Sequence, residues 1–214
     1  MHQNKKEHLT VLFFILVEAR GEAASRLNCL STQAYGFGTG LRTFLLKMII
    51  NEREKRHEQV LAAASQMMTA ARTAPKGKGV DIIEIAIVEG DDIERLAVKM
   101  EQMVLEHGMK FFLRDASNIR QAECVMLIGS HDLPQGLNCA HCGYNSCAEK
   151  PMLVPCQINS VDVGIAIGSA CAMAADMRLD TRVLFSAGLA AQRLNILDGC
   201  RQVFAIAISI VSLL

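Results

Sequence analysis

Four cysteines within eighteen residues are the feature of this sequence with the clearest chemical meaning. Three of them stand in the stretch GLNCAHCGYNSC and the fourth follows in VPC, with spacings of two, four and eight residues between them. Thiolates are soft ligands that suit iron–sulfur clusters and zinc. Gly143 gives the loop the freedom to curl around a bound group. The pattern predicts a metal-binding loop whose ligands are Cys139, Cys142, Cys147 and Cys156.

Three interpretations of these cysteines stay open from the residues alone. Iron–sulfur ligation is favoured, because four soft thiolates in a turn-rich loop can converge on one compact anionic cluster. Structural zinc also takes four cysteines, but it usually uses two separated C-x2-C pairs, and this loop has one. A redox dithiol at CAHC would leave Cys147 and Cys156 without a task. Inert buried thiols do not suit such a polar segment.

The remaining cysteines are scattered in apolar surroundings: Cys29, Cys124, Cys171 and Cys200. A secreted disulfide scaffold would be smaller and would spread its bridges along the chain. We therefore predict a reducing, cytoplasmic location. Cys171 is the alternative to Cys156 as the fourth ligand, although small-residue packing on a helix also explains it.

Composition narrows the function classes further. Hydrophobic residues make up 51% of the 214-residue chain, which excludes a disordered protein. Lysine plus arginine equals aspartate plus glutamate at 22 each, and aromatic residues are few, so nucleic-acid binding is not predicted. The apolar run from Leu9 to Val17 is too short to span a bilayer, and no membrane association is predicted.

The domain organisation follows from where regular patterns begin. Residues 1–47 are interpreted as an N-terminal extension, either disordered or not native, ahead of Met48. Residues 48–214 are predicted to form a single domain with the metal-binding loop at 131–157. No acid–base pair stands out, so catalytic residues are unknown and the chain is not assigned to an enzyme class; an enzyme of this kind would be an oxidoreductase.

Periodicity places the elements around the loop. Apolar residues at helical spacing predict one helix over 51–72 and a second from Asp91 to a C-terminal cap at Gly108. Asp91 and Glu94 form a capping-box-like start for the second helix. A short helix capped by Asp115 and a long apolar helix capped by Asn159 follow. Short apolar runs predict buried strands at 81–88 and 124–129 and two more near the C-terminus.

Two glycines one turn apart mark the long helix. Glycine inside a helix costs about 1 kcal/mol against alanine, so Gly164 and Gly168 need a reason to be there. Close packing of another helix is the favoured interpretation, and close approach of a ligand is the alternative.

A family resemblance adds to these observations. NCAHCGYNSC is similar to the iron–sulfur motif of electron-transfer proteins such as the corrinoid iron–sulfur protein subunit and the Rnf-complex ferredoxin subunit. The blocks FFLRDASNIRQAECVMLIG, GLNCAHCGYNSCAE and VDVGIAIGSACAMAADMRLDTRVLFSAG resemble a family of uncharacterised prokaryotic proteins that contain a ferredoxin domain. The resemblance implies that the four cysteines ligate a 4Fe-4S cluster and exchange electrons with a partner protein of unknown identity.

A more distant resemblance is to the flavin-dependent nitroreductase fold. A helix that ends in an A-x-x-A-P turn and leads into a strand, together with a long small-residue helix, carries it. It implies an α+β fold, a mixed sheet flanked by helices, with FMN as an additional cofactor and a homodimer as the assembly. Arg72, Lys76 and Lys78 lie where a flavin phosphate would be met, although a solvated basic turn explains them as well.

The function hypotheses are therefore three. The first is an iron–sulfur protein in electron transfer or redox chemistry. The second is a structural zinc or other metal-binding module without turnover. The third is an FMN-dependent oxidoreductase of the nitroreductase type.

Overall fold

The computed structural model describes residues 49–213, so the predictions for residues 1–47 lie outside the described part. The helices are α1 (Glu52–Thr73), α2 (Asp91–His107), α3 (Phe111–Arg120), α4 (Gln157–Asp176) and α5 (Phe185–Arg193). The strands are β1 (Ile83–Val88), β2 (Cys124–His131), β3 (Asp180–Leu184) and β4 (Cys200–Ser209). A 3-10 turn over Gly77–Gly79 joins α1 to β1. The α+β prediction is confirmed, but the sheet of the described residues is antiparallel rather than the predicted mixed one.

The four strands form one sheet in the order β1-β2-β4-β3, and every neighbouring pair is antiparallel. β2 lies inside the sheet and is buried almost throughout, which explains its continuous apolar sequence. β3 pairs with β4 only as far as Leu184 opposite Ala205. Residues 200–204 of β4 therefore have no β3 partner, because the chain turns into α5 at this point.

Helices cover both faces of the sheet. Val125 and Leu127 of β2 belong to the core that α2, α3 and α5 share, and Met126 and Ile128 belong to the core beneath α1 and α4. This division follows from the alternation of side chains along a strand. Each fully buried Leu, Ile, Met or Phe contributes roughly 1.5–3 kcal/mol of transfer free energy to either core.

Helix ends agree with the predictions at some positions and differ at others. Gly108 has a left-handed backbone and ends α2, as predicted. The capping box at Asp91 is wrong, because Gly90 is the N-cap and no side chain caps the helix.

Asp115 and Asn159 are not caps either. Asp115 lies within α3, where it is buried and accepts a hydrogen bond from Ser186 Oγ at 2.6 Å. Asn159 lies within α4 and donates to two carbonyls, that of His131 at the end of β2 and that of Leu133 in the following loop. The local sequence assigns both side chains to helix ends, but in the fold both make tertiary contacts instead.

The outer face of α4 is not closely packed within the described part of the chain, contrary to the prediction. Apart from the adjacent residues and the surrounding backbone of α4 itself, no heavy atom of the described chain lies within 4 Å of a Cβ built at Gly164 or Gly168, and Val161 and Ile165 on the same face are exposed. The inner face packs against α1, where Ser169 Oγ donates to the Ala70 carbonyl at 2.8 Å. Among residues 49–213, α4 is the one helix long and apolar enough to cross a membrane by length and composition.

Gly188 shows the close approach that was expected at Gly164 and Gly168. A Cβ built there would lie 2.1 Å from the Val203 carbonyl oxygen and 2.6 Å from Phe204 Cα. No side chain fits in that space, so glycine lets α5 rest directly on the backbone of β4.

Candidate metal centre

The cysteine loop connects β2 to α4 and runs through residues 132–156 with neither helix nor strand. Side chains from elsewhere in the fold hold it in place. Lys78 Nζ donates to the Gln135 carbonyl at 3.0 Å, and Asn159 Nδ2 donates to the Leu133 carbonyl at 2.8 Å. Arg201 donates to the Met152 carbonyl. These bonds provide partners for loop carbonyl groups that do not take part in a helix or a strand.

The four predicted ligands line one small cavity: Cys139, Cys142, Cys147 and Cys156. Their burial increases along the chain, from exposed Cys139 to buried Cys156. A group bound among them would therefore be open to solvent on one side and in contact with the protein core on the other. All seven cysteines of the described residues are free thiols in this structure.

Zinc and a four-iron cluster place different demands on four thiols. Zinc draws four sulfurs to about 2.3 Å from one point, whereas each thiolate of a four-iron cluster binds a different iron, so the sulfurs stand further apart. Within residues 49–213, no three His, Cys, Asp or Glu side chains are close enough to hold one metal ion. Four thiols that line a common cavity provide the soft ligands that both zinc and iron–sulfur clusters require.

The backbone of the loop alternates in handedness. Gly136, Asn138 and Ala140 have positive φ angles of 69°, 49° and 58°, while the residues between them do not. Gly143, with φ of 87°, repeats the feature after Cys142, in agreement with the predicted curl. Alternating handedness turns successive N–H groups toward one side and makes an anion-binding concavity, as at many iron–sulfur sites.

Hydrogen bonds already connect this backbone to sulfur. The Asn138 N–H donates to Cys147 Sγ at 3.4 Å, and the Asn138 side-chain oxygen accepts from the Cys147 N–H at 2.8 Å. Hydrogen bonds to ligand sulfur are one of the factors that set the reduction potential of a cluster. Asn138 is a functional candidate that sequence reasoning missed, since nothing in its local pattern marks it.

Cys156 occupies a position with favourable electrostatics. It is the N-cap residue of the 20-residue helix α4, directly before Gln157. The N-terminus of a helix carries a partial positive charge and stabilises thiolates and anionic clusters nearby. Sequence reasoning placed the helix start at Asn159 and so missed this relation.

The scattered cysteines have the properties of buried thiols. Burial raises the pKa of Cys124 to about 12 and that of Cys200 to about 11, and burial likewise raises the pKa of Cys171. All three stay protonated near neutral pH, and thiolates are the ligand form. Cys171 also lies fifteen residues beyond Cys156, about 22 Å along α4 at 1.5 Å per residue. Cys156 lines the cavity and Cys171 does not, and Cys156 stays the predicted fourth ligand.

The histidines beside the loop point to no direct role. His131 Nε2 lies 2.9 Å from a Glu84 carboxylate oxygen, which occupies that ring nitrogen. His141, between Cys139 and Cys142, is exposed to solvent.

The three basic residues proposed for a flavin phosphate already have partners. Arg72 pairs with Asp81 at 2.8 Å and also donates to the Ile83 carbonyl. Lys76 is almost fully buried and donates to the Ala74 carbonyl at 3.0 Å, while Lys78 holds the cysteine loop through Gln135. A phosphate here would have to displace these contacts, and flavin binding at this turn stays a prediction.

Structural comparison identifies the fold. The chain is similar to nitroreductase CinD from Lactococcus lactis in complex with nicotinic acid, with a TM-score of 0.51 and 15% identity over 77% of this chain and 82% of that one. It is also similar to a nitroreductase with bound FMN from Bacteroides fragilis, with a TM-score of 0.50 and 10% identity over 71% of this chain and 77% of that one. At such identities the likeness concerns the fold alone, and the predicted nitroreductase-like fold is confirmed.

Sequence comparison identifies the family. Residues 154–212 match the family described as "uncharacterized protein containing a ferredoxin domain (DUF2148)", a range that includes Cys156. An uncharacterized protein from Archaeoglobus fulgidus is 41% identical over 161 residues, which cover 71% of this chain and 87% of the relative. The chain therefore belongs to this family of ferredoxin-domain proteins.

Proposed function

We propose that the protein binds a 4Fe-4S cluster through Cys139, Cys142, Cys147 and Cys156 and uses it in single-electron transfer. The observation that carries the proposal is the placement of these four thiols around one cavity. The cluster would supply a one-electron carrier. The family description, which names a ferredoxin domain, supports the same chemistry.

The surrounding residues suit that role. Alternating backbone handedness at residues 136–140 provides N–H groups for an anionic cluster, and the start of α4 adds a favourable dipole. The exposed edge at Cys139 would let a partner protein approach the cluster. Cys156 on the buried side would keep the other face away from water, and solvent exposure is a further factor in the reduction potential.

Metal and sulfide analysis of protein purified without oxygen tests this proposal. We expect iron and acid-labile sulfide in equal amounts, about four of each per chain, and a reversible electron paramagnetic resonance signal on one-electron reduction. Stoichiometric zinc without sulfide would contradict the cluster and support the structural zinc site. A cluster that cannot be reduced reversibly would support the module without turnover.

FMN binding is a separate question that the same preparation answers. Native protein that releases FMN on denaturation, or that binds added FMN, would support the flavoenzyme hypothesis. The engaged side chains of Arg72 and Lys78 argue against a phosphate at their turn. Absence of FMN in both measurements would rule the hypothesis out and leave the cluster assignment untouched.

A further inference from the structure

Lys150 lies in the cysteine loop between the third and the fourth predicted ligand, and it lines the same cavity as the four thiols. It is the one lysine or arginine among the described residues that line this cavity, and none of the others is an aspartate or a glutamate. Apart from the thiols, the described lining therefore has one formal charge at neutral pH, and that charge is positive.

Hydrogen bonds hold the ammonium group of Lys150 in place. Its Nζ donates to the Pro151 carbonyl at 3.2 Å and also to the Val154 carbonyl. Lys150 is only partly exposed, whereas most lysine side chains extend freely into water. Val154 stands two residues before Cys156, so the same bonds shape the segment that brings the fourth predicted ligand to the cavity.

No carboxylate of the described residues neutralises this charge. Lys150 takes part in no ion pair within the described part of the chain, and the neighbouring Glu149 is exposed and accepts a hydrogen bond from Ser146 at 3.0 Å. Asp132, the other carboxylate of the loop, is paired with Arg201 at 3.0 Å. A carboxylate in contact with the ammonium would cancel most of its field, so the field of Lys150 acts on whatever group the thiols bind.

A fixed positive charge acts differently on the two oxidation states of an iron–sulfur cluster. A 4Fe-4S cluster with four thiolate ligands is anionic, and one-electron reduction adds a further negative charge. Because the attraction between two charges grows with the size of each, a nearby ammonium stabilises the reduced cluster more than the oxidised one. Charge at the cluster is accordingly one of the factors that set its reduction potential.

We propose that the charge of Lys150 raises the reduction potential of the bound cluster, so that the cluster accepts electrons from weaker reductants than it could without this cation. The inference rests on the proposed electron-transfer function and deepens it, because it assigns a residue that selects the electron donor. The alternative role for Lys150 is to shape the loop through its hydrogen bonds to Pro151 and Val154, which requires a donor and no charge.

Redox titration of the cluster-loaded full chain, followed by visible absorption, separates charge from hydrogen bonding. Lys150→Arg keeps the charge, Lys150→Gln keeps a hydrogen-bond donor without the charge, and Lys150→Met keeps neither. We expect Lys150→Gln and Lys150→Met each to lower the ratio of reduced to oxidised cluster about tenfold at a given potential, which is about 59 mV for one electron. Lys150→Arg should stay close to the wild type. Lys110→Met is the matched control, since Lys110 also has no ion pair among the described residues and does not line the cavity.

Three outcomes would overturn the proposal. They are a potential of Lys150→Met equal to that of the wild type, a wild-type potential in Lys150→Gln, and a potential of Lys150→Arg as low as that of Lys150→Met. The comparison of Lys150→Gln with Lys150→Arg decides the matter if Lys150→Met fails to fold or to bind a cluster. Wild-type protein without iron and sulfide would refute the proposed function and this inference together, so metal and sulfide content distinguishes that failure from an unchanged potential.

Discussion

Replacing helical glycines with alanine should change the stability of this protein in opposite directions at different sites. At Gly164 and Gly168 the new methyl group would meet no heavy atom of the described chain within 4 Å, apart from the adjacent residues and the surrounding backbone of α4. At Gly188 it would lie 2.1 Å from a backbone oxygen of β4, which is a severe overlap. The three positions share a residue type and a secondary structure, so the difference isolates packing from helix propensity.

The magnitudes follow from these distances. Alanine in an exposed helix interior is favoured over glycine by about 0.5–1 kcal/mol, so Gly164→Ala and Gly168→Ala should each raise the free energy of unfolding by that amount. Gly188→Ala gains the same propensity but forces α5 away from β4. Overpacking costs about 1–3 kcal/mol or more, which leaves a net loss of stability. Because the propensity gain is common to all three, the two classes should differ by the overpacking cost, roughly 1–3 kcal/mol or more.

Urea unfolding followed by circular dichroism at constant protein concentration measures these free energies. A stability of Gly188→Ala equal to that of the wild type would refute the contact between α5 and β4. A loss of stability in Gly164→Ala or Gly168→Ala would mean that another chain packs on the outer face of α4. The predicted homodimer is one such arrangement, and sedimentation of both variants over a range of concentrations would reveal it.

Three further predictions concern the thiols and one buried hydrogen bond. Cys156→Ser should lower the iron and sulfide bound per chain and Cys171→Ser should not, and an equal loss in both would contradict the choice of fourth ligand. Ser186→Ala should lower the free energy of urea unfolding by about 1.5–3 kcal/mol, because its hydroxyl donates to a buried carboxylate; exposed Ser117→Ala is the control, and equal effects would contradict the reasoning. Burial raises the pKa of Cys124 to about 12 from an ordinary 9.0, so as the pH rises the thiol loses its proton in the unfolded chain before it does in the folded chain. The contribution of Cys124 to the free energy of unfolding should therefore be complete below pH 9, and above pH 9 the free energy should fall by up to about 1.4 kcal/mol per pH unit. Cys124→Ala should flatten that dependence in urea titrations under reducing conditions.

The sequence predicted the elements of this fold well wherever one physical signal dominates. Apolar stripes at helical spacing located α1 and α2 to within one or two residues, and Gly108 marked the end of α2. The caps failed at Asp115 and Asn159 because short polar side chains serve tertiary contacts as readily as local ones. Strand order also stayed out of reach, since the pairing of β4 with both β2 and β3 depends on contacts far apart in sequence.

The sequence likewise predicted some features of the candidate site and missed others. Cysteine spacing singled out the thiols that line the cavity, and glycine after Cys142 indicated the curl. The attachment of the loop by Lys78 joins segments that are distant in sequence, and the contact of Asn138 with Cys147 depends on how the loop folds back on itself. The helix start at Cys156 was missed because Asn159 has the residue type of a helix cap. The local sequence pattern contains no signal for contacts that form only when the chain folds.

The left-handed backbone at Asn138 and Ala140 has a consequence for how long the protein survives in a cell. A side chain in this conformation costs roughly 1–3 kcal/mol, which the loop sustains only while surrounding contacts hold it. A bound cluster would provide the largest of those contacts, so its loss to oxygen should release the exposed segment around Cys139 to proteases. We expect oxidative damage at this loop to be followed by degradation of the chain, so that the protein's turnover reports on its exposure to oxygen.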